Sequence, residues 1–247
     1  MDLEAIPPPP REPTVRAREL VFRFQGGQGA LLIIGVAFTL MGSLFTPIFC
    51  WGLPTDLALL FGSKAVTAEV LSSEVNRSAT VNDQHPTEIR FAYRVNGVRY
   101  QGRSSTLQAA PAEAGETVRV EVSGFDPSMA RVAGTTRNTF GYAAGLVVLF
   151  PLVGVAMVIW VIRASVRRKR AFREGLPARA RSTYFGPDTS VRVNGRNPWH
   201  VKYEFEVDGR LFQGRLSHMD RTRLEGLEGA LIALYDPADP SCNTLWL

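Results

Sequence analysis

Two stretches of this chain, residues 24–55 and 138–162, contain no Asp, Glu, Lys, Arg or His, while the segments around them are charged every few residues. Within these gaps, Ala30 to Gly52 (ALLIIGVAFTLMGSLFTPIFCWG) and Phe140 to Ile162 (FGYAAGLVVLFPLVGVAMVIWVI) are each long enough, at about 1.5 Å per residue, to cross a hydrocarbon core of about 30 Å as a helix. A helix buried in a soluble core usually shows a polar stripe and rarely runs so far without a charge, so two membrane spans are expected. Pro47 and Pro151 do not oppose this, because neighbouring groups satisfy the freed backbone in a membrane helix. A cleaved secretory signal fits the first run poorly. Its approach is long and proline-rich (PPPPREP, Pro7 to Pro13), and no small-x-small cleavage pattern follows. Phe49 also precedes Cys50 where a lipoprotein would need a small residue.

Orientation follows from the basic flanks. Arg11, Arg16, Arg18 and Arg23 precede the first span, and RASVRRKRAFR follows the second at once, whereas the opposite flanks carry only Lys64, Arg131 and Arg137. Both termini are therefore expected in the cytoplasm, in a multi-pass protein of the cell's inner membrane. The expected order is a cytoplasmic proline- and arginine-rich segment (1–28), a first span (29–52) and an external β domain (53–139). A second span (140–162), a polybasic juxtamembrane linker (163–175) and a cytoplasmic β domain (176–247) complete it. Two cysteines are too few for a disulfide framework, and this topology separates Cys50 from Cys242.

The chain also repeats itself. YRVNGVRYQGR (Tyr93 to Arg103) is answered 112 residues later by FEVDGRLFQGR (Phe205 to Arg215), and a shift of 111 carries Gly29 to Trp51 onto Phe140 to Ile162. A fixed offset of this kind points to internal duplication of a helix-plus-β unit. Within each half the apolar residues alternate (Ile89, Phe91, Tyr93, Val95; Val201, Tyr203, Phe205, Val207), as in strands with one buried face. Asn96-Gly97 and Asp208-Gly209 supply the positive φ angles of a two-residue type I′ turn. That turn sets the register: Tyr93 faces Tyr100 and Phe91 faces Gly102 in one hairpin, while Phe205 faces Phe212 and Tyr203 faces Gly214 in the other. The repeated ring-Gln-Gly is thereby explained, because each hairpin needs an aromatic pair beside a glycine covered by a ring. Further strands are expected at 65–73, 117–123, 177–184 and 229–235. The fold class is membrane α plus all-β, with two transmembrane helices and two small antiparallel β barrels or sandwiches.

The combination of a membrane helix, a Y-x-V-x-G-x-x-Y-x-G hairpin and a terminal YDPADP resembles the bacterial membrane proteins grouped as domain-of-unknown-function family 3592. The residues that carry the resemblance are Tyr93, Val95, Gly97, Tyr100 and Gly102 with Phe125-Asp126-Pro127. In the second half they are Phe205, Val207, Gly209, Phe212 and Gly214 with Tyr235-Asp236-Pro237. It implies a β domain beside membrane helices and no established catalytic residue. A second β domain after the second span departs from the plainest pattern of that family.

Catalytic motifs are missing from the chain: it holds no H-E-x-x-H, G-x-S-x-G or P-loop and no clustered Cys-His pattern. Ser217, His218 and Asp220 invite a catalytic reading, but strand neighbours point to opposite faces. No enzyme activity and no cofactor are expected. Two basic features stand out instead. Arg163, Arg167, Arg168, Lys169, Arg170 and Arg173 lie directly after a span, where they are either a plain topology signal or a contact for anionic lipid. A nucleic-acid partner is not expected, since the run is tied to the bilayer and lacks interleaved aromatics. In the first hairpin Arg94 faces Arg99 and Arg90 faces Arg103, although like charges across strands destabilise; the second hairpin puts Glu206 opposite Leu211 and Glu204 opposite Gln213. Arg90, Arg94, Arg99 and Arg103 are therefore a candidate anion- or partner-binding patch, unless Glu69, Glu88, Glu116 or Glu121 neutralises them. The function expected is non-enzymatic: β domains that scaffold, sense or bind a partner at the bilayer, with a protein partner or self-association. An accessory subunit of a transport or envelope-assembly complex is the alternative.

Overall fold

The structure, a computed structural model, describes residues 3–24, 27–108, 112–190, 192 and 195–247. The chain divides into two compact units, one formed by Met1–Ala37 with Gly154–Leu247 and the other by Phe38–Val153. Two helices are long and apolar enough to cross a membrane, with mean hydropathies of 2.1 and 2.7, and only 11% of each apolar window is buried, whereas a core helix would be mostly covered. The first is α2 (Gln28–Phe49), preceded by the short α1 (Val15–Leu20) and followed by α3 (Leu53–Leu60); the second is α4 (Leu149–Glu174), entered through a 3-10 segment, Gly141–Val148. The helix does not stop at Ile162. The basic run 163–174, expected as part of a linker, is helical because Arg, Lys and Ala are good helix formers and no proline or glycine interrupts them before Gly175.

Unit 2, residues 38–153, holds a five-stranded antiparallel sheet of order β3-β2-β1-β4-β5, from β1 (Ser63–Val75), β2 (Thr87–Val95), β3 (Val98–Thr106), β4 (Thr117–Ser123) and β5 (Ala130–Val132). Its edges return to one another. Ser105 and Thr136 exchange backbone hydrogen bonds of 2.6 and 3.1 Å, and the Ser104 hydroxyl accepts from the Val132 N–H at 2.8 Å. The sheet is thus nearly a barrel, with Val70, Ile89, Phe91 and Val120 at its centre.

In unit 1 the strands are β6 (Leu176–Pro187), β7 (Trp199–Val207), β8 (Arg210–His218), β9 (Ala230–Asp236) and β10 (Asp239–Leu245), in the order β10-β9-β6-β7-β8. Strand for strand this is the topology of unit 2. The duplication extends to irregularities: β1 bulges between Val70 and Ser72, and β6 between Ser182 and Tyr184, 112 residues on. Residues 3–24, part of the segment expected as a proline- and arginine-rich N-terminal stretch, join this unit's core, where Ala17, Leu20 and Val21 pack with Phe172, Tyr203 and Leu234. Arg11 locks it in place, donating to the Pro7 and Gly175 carbonyls at 2.8 and 2.7 Å.

Both hairpins have the expected register, with Tyr93 opposite Tyr100, Phe91 opposite Gly102, Phe205 opposite Phe212 and Tyr203 opposite Gly214. The turns carry positive φ at Asn96 (51°), Gly97 (82°), Asp208 (51°) and Gly209 (73°). The aromatic pairs stack with centroids 5.7 and 5.9 Å apart, each contributing about 0.2–1 kcal/mol. A Cβ at Gly102 would strike the Phe91 ring, and one at Gly214 the Tyr203 ring. Strands β5 and β10 and helix α3 had no clear period in the sequence, because each is too short or too irregular to show one.

Candidate functional site

Period-two alternation turns Phe91 and Tyr93 into the barrel and leaves Arg90 and Arg94 outside, with Arg103 and Arg99 beside them on the next strand. All four arginines are exposed. Of the four carboxylates that could neutralise them, two are engaged elsewhere and one, Glu88, reaches Arg90. Glu88 lies 3.5 Å from Arg90, Glu121 pairs with Arg131 at 2.9 Å, and Glu116 accepts from the Glu113 N–H at 2.8 Å. Among the described residues no carboxylate lies within 4.0 Å of the Arg94, Arg99 or Arg103 guanidinium. Like charges therefore face one another across two strands with one partial neutralisation.

A fifth arginine reaches this face from far along the chain. Asp56, fully buried on α3, accepts from the backbone N–H of Arg137 at 2.8 Å and of Asn138 at 2.9 Å, and from the Arg131 guanidinium at 3.3 Å. The Arg131 side chain also donates to Glu121 and to the Tyr142 hydroxyl. Burial works to lower its pKa, but those two hydrogen bonds outweigh that and hold it above the ordinary arginine value. Gly52 permits the close approach: a Cβ there would meet the Arg137 backbone at 2.5 Å. Held by its backbone, Arg137 extends its side chain beside Arg103. Burial, and then the charge of Arg103, lower its pKa from the ordinary value.

Arg103, Arg137 and Glu88 border two neighbouring cavities. One, of about 240 Å³, opens toward Arg90 and Gln101; the other, of about 160 Å³, extends to Ser104, Asn138 and Thr139 and to Phe49 and Trp51 at the end of α2. Sequence reading took Arg137 only as a flank charge. No local signal could have joined it to Arg103, 34 positions earlier.

The polybasic run has a different fate. Arg168 donates to the carbonyls of Val21 and Arg23 at 3.0 and 3.2 Å and to the Gln28 side chain at 3.3 Å. Arg167 pairs with Asp239, and Arg170 with Glu174 at 3.1 Å. Lys169 and Arg173 lie over the Phe22 ring at 6.0 and 5.4 Å. Arg163 is exposed, with no ion pair among the described residues. Five of the six candidate lipid contacts thus have partners inside unit 1.

The remaining candidates do not assemble. Ser217 is buried opposite His200, while His218 turns away and accepts from the Asp220 N–H at 3.0 Å. Among the described residues no group of three or more His, Cys, Asp or Glu could hold a metal ion, and Cys50 and Cys242 are both free and buried. No family model, curated protein or solved structure matches the chain.

Proposed function

We propose that this chain is a non-enzymatic integral membrane protein, anchored by α2 and α4, whose β domains scaffold, sense or bind a partner at the bilayer. The observation that carries the reading is the outward face of the first hairpin, where Arg94 faces Arg99 and Arg90 faces Arg103 and, among the described residues, Glu88 alone is within ion-pair reach. A fold keeps such a cost, up to about 1 kcal/mol per pair, where the charges serve binding. In the proposed topology the basic flanks keep both termini in the cytoplasm of a bacterial cell, and the hairpin motifs relate the chain to domain-of-unknown-function family 3592. A second reading, an accessory subunit of a transport or envelope-assembly complex, draws on the exposed apolar faces of α2 and α4, including Ile33 (71%), Leu40 (67%) and Leu152 (59%), which lipid or a larger assembly would cover.

Purification of the tagged protein in mild detergent, followed by identification of what accompanies it, separates the two. Self-association, or a partner lost when Arg94 and Arg99 become Gln, supports the first reading. A stoichiometric transport component retained by that variant supports the second and removes the arginine face from the account.

A further inference from the structure

The repeat contains its own control. The ring-covered glycine is followed by an arginine in both units, Arg103 and Arg215, and each borders a cavity with further arginine: Arg137, from the segment before an apolar helix, in unit 2, and Arg167 and Arg168, from the last turns of α4, in unit 1. In unit 1 every one of these charges is satisfied internally. Arg215 pairs with Asp188 at 3.3 Å, Arg167 with Asp239, and Arg168 with backbone carbonyls. In unit 2 neither Arg103 nor Arg137 has an ion pair among the described residues, and the one side-chain hydrogen bond of Arg137, to the Ala130 carbonyl, is long at 3.5 Å. Asp56, the nearest buried carboxylate, is occupied by two backbone N–H groups and Arg131. Glu88 borders the cavity too, with its Oε1 turned to Arg90.

The other lining of this cavity has two characters. Ser104, Asn138 and Thr139 supply short polar groups, while Ile48, Phe49, Trp51 and Phe140 come from the ends of the apolar segments. Trp51 is 70% exposed, in the place where an indole sits at the headgroup level of a bilayer if α2 crosses it. Two guanidinium groups without an ion pair among the described residues, beside the Ser104 and Thr139 hydroxyls, make a fork for tetrahedral oxyanions, while the Asn138 amide is spent on the Phe49 carbonyl and the Phe140 N–H, and the apolar rim would meet acyl chains.

We propose that the cavity between Arg103 and Arg137 at the end of α2 is a phosphate-group site, occupied by the headgroup phosphate of an anionic phospholipid or by a free phosphate. It rests on the reading of the arginine face as a binding surface and narrows that reading to one ligand chemistry. The rim residues favour the lipid.

The test uses the full chain in neutral maltoside detergent, with bound lipid counted by native mass spectrometry. The probes are phosphatidylglycerol, diacylglycerol with the same chains, and inorganic phosphate as competitor. Phosphatidylglycerol should bind at least tenfold better than diacylglycerol. Arg103→Gln and Arg137→Gln should each weaken it about tenfold or more, as expected for a lost charge-assisted contact. Arg137→Lys should retain most of the binding, and Arg215→Gln should change nothing. Competition by millimolar inorganic phosphate would assign the site to a free anion, and its failure to compete assigns it to the lipid; both keep the phosphate chemistry. Equal binding of the two lipids together with no binding of inorganic phosphate overturns the site. So does phosphatidylglycerol binding that survives both Gln substitutions. Phosphate-dependent binding lost in Arg94→Gln or Arg99→Gln but intact in Arg137→Gln overturns the cavity and leaves the arginine face standing. If Arg137→Gln does not fold by circular dichroism, Arg103→Gln, at an exposed side chain, decides the matter.

Discussion

Single residues set the shape of each barrel. Gly102 is required because the Phe91 ring occupies the space where its Cβ would go. Gly102→Ala must push that ring into a packed core, and unfolding in denaturant should show a loss of about 1–3 kcal/mol. An unchanged midpoint would mean that the ring moves freely. His200 makes a second case. It is 5% exposed, and neither ring nitrogen has a hydrogen-bond partner among the described residues, Nδ1 standing 3.7 Å from Asp188. Burial holds its pKa below the ordinary histidine value, against the pull of Asp188. A depressed folded pKa means that the stability contributed by neutral His200 is complete above about pH 6.5, the unfolded value, and is lost as pH falls through the folded one. The melting temperature should therefore drop on acidification below about pH 6.5, before carboxylates begin to titrate, and His200→Phe should flatten that limb. Identical limbs in both proteins would assign the acid sensitivity elsewhere. The register of both hairpins was legible from Asn96-Gly97, Asp208-Gly209 and the alternating rings. The burial of His200 was not, because it depends on Tyr184 and Asp188 from outside its own strand.

Among the elements, α4 shows how one run of sequence takes on two roles. In the proposed topology its last turns carry the basic residues that orient the chain, and the structure shows the same residues fastening unit 1. Arg168 bridges to the segment before α2, and Lys169 and Arg173 cover Phe22. Removing Arg168 leaves the Val21 and Arg23 carbonyls without this donor, so Arg168→Ala should cost about 1–3 kcal/mol. Arg163→Ala, at an exposed position, should stay within about 0.5 kcal/mol. Thermal unfolding of both variants in detergent tests this, and equal effects would mean that the run acts through charge alone. In the sequence the charge density of this stretch reads as a linker after the span. The 3.6-residue spacing that points Arg168 and Phe172 at α1 became visible only with α1 in place.

For the whole molecule, the apolar helices and the basic flanks lead to the proposed topology, in which residues near 85 and 219 face different compartments. Impermeant maleimide applied to intact spheroplasts should label His85→Cys and should reach Met219→Cys only after lysis. Labelling of both from outside would refute that topology. Sequence alone determined the apolar runs, the duplication, both hairpins and the outward arginines, because each depends on periods and turns within about a dozen residues or on a long uncharged stretch. Only the tertiary structure decided that residues 3–24 enter unit 1, that five basic side chains of α4 are engaged there, and that Arg137 joins Arg103. Those outcomes turn on which carboxylate, carbonyl, aromatic ring or apolar surface comes against each side chain, and that is set by packing between segments far apart in the chain.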